Sequence, residues 1–118
     1  MGLAAPTPLP LDPNGRTVQN TYRNMASGNG TVTTSGTAVR LSNTSQEAKI
    51  LDIVNPLSNG SLASGGTLVL GDSSVSYASL KGIPILPGFT YRMNVKDLSQ
   101  VYVDASDNGA TFSYNYFY

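Results

Sequence analysis

The side chains of this sequence best suited to chemistry are its seven carboxylates. A glycosidase needs two carboxylates that face each other about 5 to 10 Å apart, and the spacing along the chain does not exclude such a pair. Six of the seven fall at predicted turns or strand ends, where aspartate caps the local backbone. The set consists of Asp12, Glu47, Asp52, Asp72, Asp97, Asp104 and Asp107. We therefore expect these carboxylates to be structural and the chain not to be an enzyme.

Residues 104–109 superficially match a calcium-binding loop. Asp104, Ser106 and Asn108 stand at alternate positions, as the EF-hand pattern requires. The twelfth position of that pattern is a bidentate glutamate, whereas this chain has Asn115 there. The run Asp107-Asn108-Gly109 is also a hairpin-turn signal, because Asn-Gly tolerates positive φ angles. The sequence favours a turn over a metal site.

Histidine and cysteine are both absent. Their absence excludes Ser-His-Asp and Cys-His sites, zinc or haem sites with ordinary ligands, and disulfides. Seven cations and seven anions cancel, and charged residues make up only 12% of the chain. Such a chain has no electrostatic attraction to nucleic acid or to anionic lipid. We therefore predict no catalytic residue, no cofactor, no metal, and neither a nucleic acid nor a membrane as a partner.

The remaining polarity comes from uncharged Ser, Thr, Asn and Gly residues. These residues suit strands joined by tight turns and are poor helix formers. A neutral, weakly charged surface is poorly protected against association. Two interpretations stay open on composition alone, a protein that works packed among other proteins and an ordinary small β domain. The N-terminus lacks the basic region of a signal peptide, so we expect a soluble protein in a reducing compartment.

The chain divides into three predicted segments. Residues 1–15 are an extended arm in which Pro6, Pro8, Pro10 and Pro13 favour polyproline II geometry; this arm is either a frayed terminus or lies on a neighbouring subunit. Residues 16–30 are a linker or a first strand, with a short helix as the less favoured alternative. Residues 31–118 form the β domain. The apolar residues of the arm that such a contact would bury are Leu3, Leu9 and Leu11.

Within residues 31–118, β-prone runs recur at spacings of about ten residues between turn signals, which predicts an all-β fold. The expected architecture is an antiparallel β-sandwich, jelly-roll-like, with an extended N-terminal arm. Residues 82–88 contain two prolines and should form an extended edge or crossing segment, while residues 75–77 should form a short strand. Apolar and polar residues alternate along residues 89–96, which predicts a half-buried strand. Its inward side chains should be Phe89, Tyr91, Met93 and Val95.

The C-terminal strand, residues 111–118, concentrates the aromatic residues of the chain. Five of the ten tyrosines and phenylalanines lie in the last seven residues, and Phe117 falls on the face opposite Tyr116. Three roles stay open for them: filling the core, anchoring a protein interface, or stacking on sugar rings. The candidate interface residues in this strand are Tyr114, Tyr116, Phe117 and Tyr118.

Four segments carry a resemblance to small virion structural proteins of tailed bacteriophages. They are residues 68–75, 82–88, 95–105 and 112–117, which lie within a similarity that covers about residues 36–118. These proteins are β-sandwich or jelly-roll modules that serve as capsid decoration (cement) proteins or as parts of head fibres. The chain departs from their pattern at Phe89, where such modules carry an acidic or polar residue after the Pro-Gly pair.

The resemblance implies a virion structural protein that binds across capsid subunit seams and stabilises the phage head. Its partners would be the major capsid protein and sister copies, in a dimer or trimer. It would fold in the host cytoplasm and locate to the capsid surface. The alternative is a head-fibre, tail or adhesin-type module that binds host-surface glycans through tyrosines.

Overall fold

The computed structural model describes residues 24–118, in which eight β-strands and two 3₁₀ helices form the regular structure. The helices are Leu57–Ser61 and Leu98–Gln100, and no helix in this range is long and apolar enough to cross a membrane. The strands are β1 (Met25–Val32), β2 (Val39–Arg40), β3 (Ile50–Val54), β4 (Leu68–Gly71), β5 (Ile83–Ile85), β6 (Thr90–Asn94), β7 (Tyr102–Ala105) and β8 (Ala110–Phe117). The predicted N-terminal arm, with Leu3, Leu9 and Leu11, lies outside the described residues.

The strands form two antiparallel four-stranded sheets. The first sheet has the order β1-β8-β3-β6 and the second has the order β2-β7-β4-β5. Strand β1 pairs with β8, β2 with β7, β3 with β6, and β4 with β5. The chain is therefore a ribbon of four strand pairs wound into two layers, which is the jelly-roll arrangement. The predicted all-β antiparallel sandwich is confirmed.

The core lies between the two sheets and consists mainly of aliphatic side chains, with Phe112 as its buried aromatic ring. Each fully buried side chain of this size contributes about 1.5–3 kcal/mol relative to an exposed one. Aliphatic residues of both sheets contribute, because alternate residues of a strand point to the same face. The largest apolar residues with almost no exposure are Leu51, Ile53, Leu68, Leu70, Leu98, Val32 and Val103.

The alternation predicted for β6 and β8 is present, with one error. In β8 the residues Phe112, Tyr114 and Tyr116 pack on the core, and in β6 Tyr91 and Met93 do so. Phe89, predicted to point inward, is instead 60% exposed. It ends the turn that precedes β6, since its N–H donates to the carbonyl of Leu86 at 3.1 Å. The position of its side chain is set by this turn and not by the alternation of the strand.

The prediction of an edge segment at residues 82–88 is confirmed, because β5 is the outermost strand of the second sheet. The strand predicted at residues 75–77 is wrong. Val75 is buried, but Ser76 forms only an isolated bridge with Lys81, and the segment is a loop. Local β-propensity does not reveal that this segment has no neighbouring strand to extend along.

The turn predicted at residues 107–109 is present but does not join a hairpin. It connects β7 of the second sheet to β8 of the first, and only Gly109 of the Asn-Gly pair has a positive φ, of 81°. Pairing of β8 with β1 and β3 takes it away from β7. The turn chemistry was predicted, while the sheet to which each strand belongs depends on contacts far away in the sequence.

Strand β1 crosses the predicted border between residues 30 and 31 and includes two glycines. A Cβ atom at Gly28 would lie 2.5 Å from the ring of Tyr114, and one at Gly30 would lie 2.5 Å from the ring of Phe112. The rings of β8 thus lie across β1, and they leave no space there for a side chain. Glycine, which is unfavourable in an isolated strand, is required here by packing.

Candidate functional site

The candidate interface residues of the C-terminal strand are divided between two environments. Tyr114 and Tyr116 are half-buried and pack against the core. Phe117 lies on the opposite, outer face of the first sheet, while Tyr118 follows the strand and is 41% exposed. Among these four residues, only Tyr118 presents a largely accessible ring. The structure therefore does not bring them together as one surface.

The inward aromatic side chains of β8 form a row. Ring centroids are 6.3 Å apart for Phe112 and Tyr114, 6.3 Å for Tyr114 and Tyr116, and 5.6 Å for Tyr116 and Tyr118. Such spacings are typical of favourable aromatic pairs. Exposure increases along the row, from 3% at Phe112 to 41% at Tyr118. The row mainly fills the margin of the core, and only its end is open to a partner.

The side chain of Tyr114 is held by contacts of its ring and of its hydroxyl group. Its ring lies over Gly28, and its hydroxyl donates to the carbonyl of Leu41 at 3.3 Å. Burial, with a smaller contribution from Tyr116, raises the pKa of Tyr114 above its ordinary value of 10.0. The hydroxyl therefore stays protonated at neutral pH and acts as a structural donor.

The outer face of the first sheet carries polar pairs that follow the strand register. The hydroxyl of Ser27 donates to Oδ1 of Asn115 at 2.6 Å, and the guanidinium of Arg92 donates to both carboxylate oxygens of Asp52 at 2.6 and 2.8 Å. The hydrogen bond from Arg92 is the main cause that lowers the pKa of Asp52. Arg92 also lies 5.9 Å from the ring centroid of Phe117. The polar groups of these pairs are thus already bound within the sheet.

The carboxylates of Asp104 and Asp107 accept hydrogen bonds from backbone N–H groups of loops. Asp104 is fully buried and accepts the N–H groups of Gly36 at 2.8 Å and of Tyr77 at 2.9 Å, which fixes two loops to β7. Asp107 accepts the N–H of Gly66 at 2.8 Å. Residues 24–118 contain no group of three or more acidic, histidine or cysteine side chains placed to hold a metal ion. These two aspartates were predicted to cap the local backbone, but the backbone N–H groups that they accept belong to loops far away in the sequence.

A cavity of about 460 Å³ opens between the end of β4 and the loop that leads to β5. Asp72 and Lys81 are the charged residues that line it. The carboxylate of Asp72 already accepts the hydroxyl of Ser74 at 2.6 Å and its N–H at 2.9 Å. These hydrogen bonds, that of the hydroxyl first, lower the pKa of Asp72. The acidic group of this cavity is therefore engaged in shaping the loop.

Three large apolar side chains are exposed in two neighbouring turns at one end of the sandwich. Leu57 is 78% exposed, Leu86 53% and Phe89 60%. Leu57 lies against the backbone of Gly88, because a Cβ at Gly88 would be 2.8 Å from Cδ2 of Leu57. Leu86 and Phe89 bound the same turn. We refer to Leu57, Leu86 and Phe89 as the apolar loop surface.

Buried asparagines fix the backbone under the apolar loop surface. Asn55 is fully buried; its carbonyl accepts the N–H of Gly88 at 2.6 Å, and its side-chain amide donates to the carbonyl of Ile85 at 2.6 Å. Asn59 donates to Oδ1 of Asn55 at 2.7 Å and to the carbonyl of Thr111 at 2.6 Å. These hydrogen bonds join both sheets. The apolar loop surface is therefore presented by an ordered support.

The apolar loop surface was not among the sites predicted from the sequence. The available signal was a pair of apolar residues next to prolines, Leu57 after Pro56 and Leu86 before Pro87. Large apolar side chains that remain exposed in turns are candidates for contact with another molecule.

Comparison with known proteins finds no family model that matches the chain and no curated protein that is significantly similar to it.

Proposed function

We propose that this protein is a structural component of a virus particle, a decoration protein that binds across the seams between capsid subunits. The resemblance of residues 36–118 to small phage virion proteins gives the class of particle. The observation that carries the proposal is the apolar loop surface, three large exposed apolar side chains on a backbone fixed by hydrogen bonds. Exposed apolar patches on ordered supports mark sites of protein contact.

The chemistry of the surface suits attachment without catalysis. Burying apolar area at a seam contributes about 25 cal/mol per Å², and ordered loops lose little conformational entropy on binding. Binding to repeated sites on a shell also multiplies weak contacts through effective concentration. Jelly rolls occur in viral capsid proteins and in lectins, so the fold accommodates this role without proving it.

The proposal is tested by binding the purified full chain to expanded phage heads that lack it. We expect saturable binding with a fixed number of copies per head. The double variant Leu57→Ser with Phe89→Ser should weaken the apparent Kd at least about tenfold, since truncating central apolar anchors commonly costs that much. Occupancy is measured by sedimentation of the heads and densitometry of the bound protein.

A matched control is Leu80→Ser, which removes another leucine, 90% exposed, from a different loop. It should bind like the wild type. Urea unfolding of each variant shows whether the fold is retained. Equal occupancy for the wild type and the folded double variant would reject the apolar loop surface as the contact, and no binding of the wild type to any head would reject the function.

A second candidate function is glycan binding, favoured by the exposed ring of Tyr118 at the end of the aromatic row. The end of this row is held by the backbone pair of Tyr118 with Asn24. A Tyr118→Ala variant that loses binding to host-surface glycans, while its binding to heads is unchanged, would support this second function.

A further inference from the structure

The four edge strands of the two sheets differ in how they are protected against pairing with another chain. Strand β2 has two residues, β5 has three and includes Pro84, and β6 carries Arg92. Short strands, prolines and charges are the features that block edge pairing. Strand β1 has eight residues with neither charge nor proline, and no strand of residues 24–118 lies beyond it. Its outer edge is the one suited to accept another strand.

The strand register shows which backbone groups face this edge. Asn24 and Tyr118 exchange both backbone hydrogen bonds, at 3.1 and 3.0 Å. Successive residues of an antiparallel strand direct their backbone groups to opposite sides. Even-numbered residues of β1 therefore bond to β8, and odd-numbered residues direct their N–H and C=O groups to the free edge. The outward residues are Met25, Ser27, Asn29 and Thr31.

We propose that two copies of this chain pair through β1, antiparallel across a two-fold axis at Gly28. In this register Ser27 faces Asn29 of the second copy, and Met25 faces Thr31. Facing residues in such a two-fold pair have residue numbers with a constant sum. This register pairs all four outward residues, because 25 and 31 have the same sum as 27 and 29. The two first sheets then form a single continuous eight-stranded sheet, with two hydrogen bonds per outward pair.

The inner face of β1 fits this pairing. Gly28 would face Gly28 of the second copy, and Ala26 would face Gly30, at the non-hydrogen-bonded positions where strands approach most closely. The rings of Tyr114 and Phe112 already fill the space over Gly28 and Gly30. Two strands with small residues at these positions can therefore meet without displacing either ring.

The charge and outer face of β1 also permit self-pairing. A strand without charged residues places no like charges opposite each other across a two-fold axis, which would otherwise be destabilising. Met25 is 61% exposed on the outer face and would gain contact with Thr31 of the second copy. The occupant we infer is therefore another copy of this chain.

The test is sedimentation equilibrium of the full chain and two variants at one position. We expect the wild type to be a dimer. Asn29→Pro removes an outward donor without breaking a hydrogen bond to β8, and its ring obstructs the edge; it should weaken the dimer at least about tenfold, since two donors are lost per dimer. Asn29→Ala keeps the N–H and should remain dimeric. Circular dichroism and urea unfolding confirm that each variant is folded.

A further variant covers the case in which Asn29→Pro does not fold. Asn29→Lys keeps the backbone donor and adds a charge to the edge, so it too should shift the wild-type dimer towards monomer. A wild-type monomer would overturn the proposal. This holds whether hydrogen exchange finds the outward backbone amides of β1 open to solvent or protected by residues 1–23 of the same chain. An oligomer unchanged by the folded proline or lysine variant would also overturn it. The inference concerns self-association and is independent of binding to heads.

Discussion

At the scale of single residues, the aspartates act by accepting backbone N–H groups. Asp97 is the clearest case, because it caps the 3₁₀ helix at residues 98–100 through the N–H of Ser99 at 2.8 Å. It also accepts the hydroxyl of Ser45 and the N–H of Gln46. These hydrogen bonds, the one from Ser45 first, hold the pKa of Asp97 well below its ordinary value of 3.8. The ionised carboxylate of Asp97 therefore stabilises the folded state.

The stability of the protein should therefore fall in acid. Because the folded state lowers the pKa of Asp97 below 3.8, its contribution is complete above that pH and is lost as the pH falls towards the folded value. We expect Asp97→Asn to lower the urea midpoint at pH 7 and to flatten its decline below about pH 4. Ser45→Ala should act in the same direction but less strongly. A decline with the wild-type slope in Asp97→Asn would contradict this role.

At the scale of elements, β1 and β8 depend on each other through two glycines and two rings. The ring over Gly30 belongs to Phe112, which is 3% exposed. The ring over Gly28 belongs to Tyr114, which is half-buried and lies nearer the open end of the row. A buried ring has less space to move than a half-buried one. The two glycines therefore differ in what a substitution would cost.

We expect Gly30→Ala to destabilise the protein by about 1–3 kcal/mol, the usual cost of overfilling a packed core. Gly28→Ala should cost less than Gly30→Ala, because the half-buried ring of Tyr114 has more room to adjust than the buried ring of Phe112. Urea unfolding of both variants, side by side, gives the comparison. An equal or larger loss for Gly28→Ala would show that Tyr114 is held as firmly as Phe112.

The parts of the fold that were predicted from sequence are those set by local patterns. Alternation identified the buried faces of β6 and β8, and prolines identified β5 as an edge, because both depend on residues within one strand. The continuation of β1 through Gly28 and Gly30 was not predicted, since glycine is needed there because of aromatic rings some 80 residues away in the sequence. The sequence also did not show that β7 and β8 belong to different sheets, because strand pairing depends on residues far apart in the sequence.

The candidate site was predicted less well than the fold. Burial of Tyr114 and Tyr116 follows from the alternation of β8, but the exposure of Phe89 depends on a turn that ends one residue later than the pattern suggested. The apolar loop surface joins two turns separated by about 30 residues of sequence. No local signal places Leu57 beside Gly88.

At the scale of the whole molecule, the charges balance, so we expect electrostatics to contribute little to the proposed attachment. The formal net charge is zero, the ion pair of Asp52 with Arg92 is satisfied within one sheet, and the apolar loop surface carries no charge. Attachment through such a surface would be driven by burial of apolar area, which salt does not screen.

Binding to heads should therefore change little between roughly 50 and 500 mM NaCl, since the Debye length shortens over this range without affecting apolar contacts. The measurement is occupancy at a subsaturating protein concentration in each salt. Binding of the Leu80→Ser control should show the same insensitivity. Occupancy that fell steeply with salt would point to charged contacts elsewhere on the protein and against the apolar loop surface.

The central position of β8 in the first sheet has a consequence for any shortened form of the chain. This strand lies between β1 and β3 in the first sheet and supplies Phe112 to the core. A copy whose translation stops before Ala110 leaves β1 with no partner in its own sheet and opens the interior to water. Such prematurely terminated copies should therefore fail to fold and be open to proteolysis, so the placement of one strand ties the foldability of the domain to its translation through Phe117.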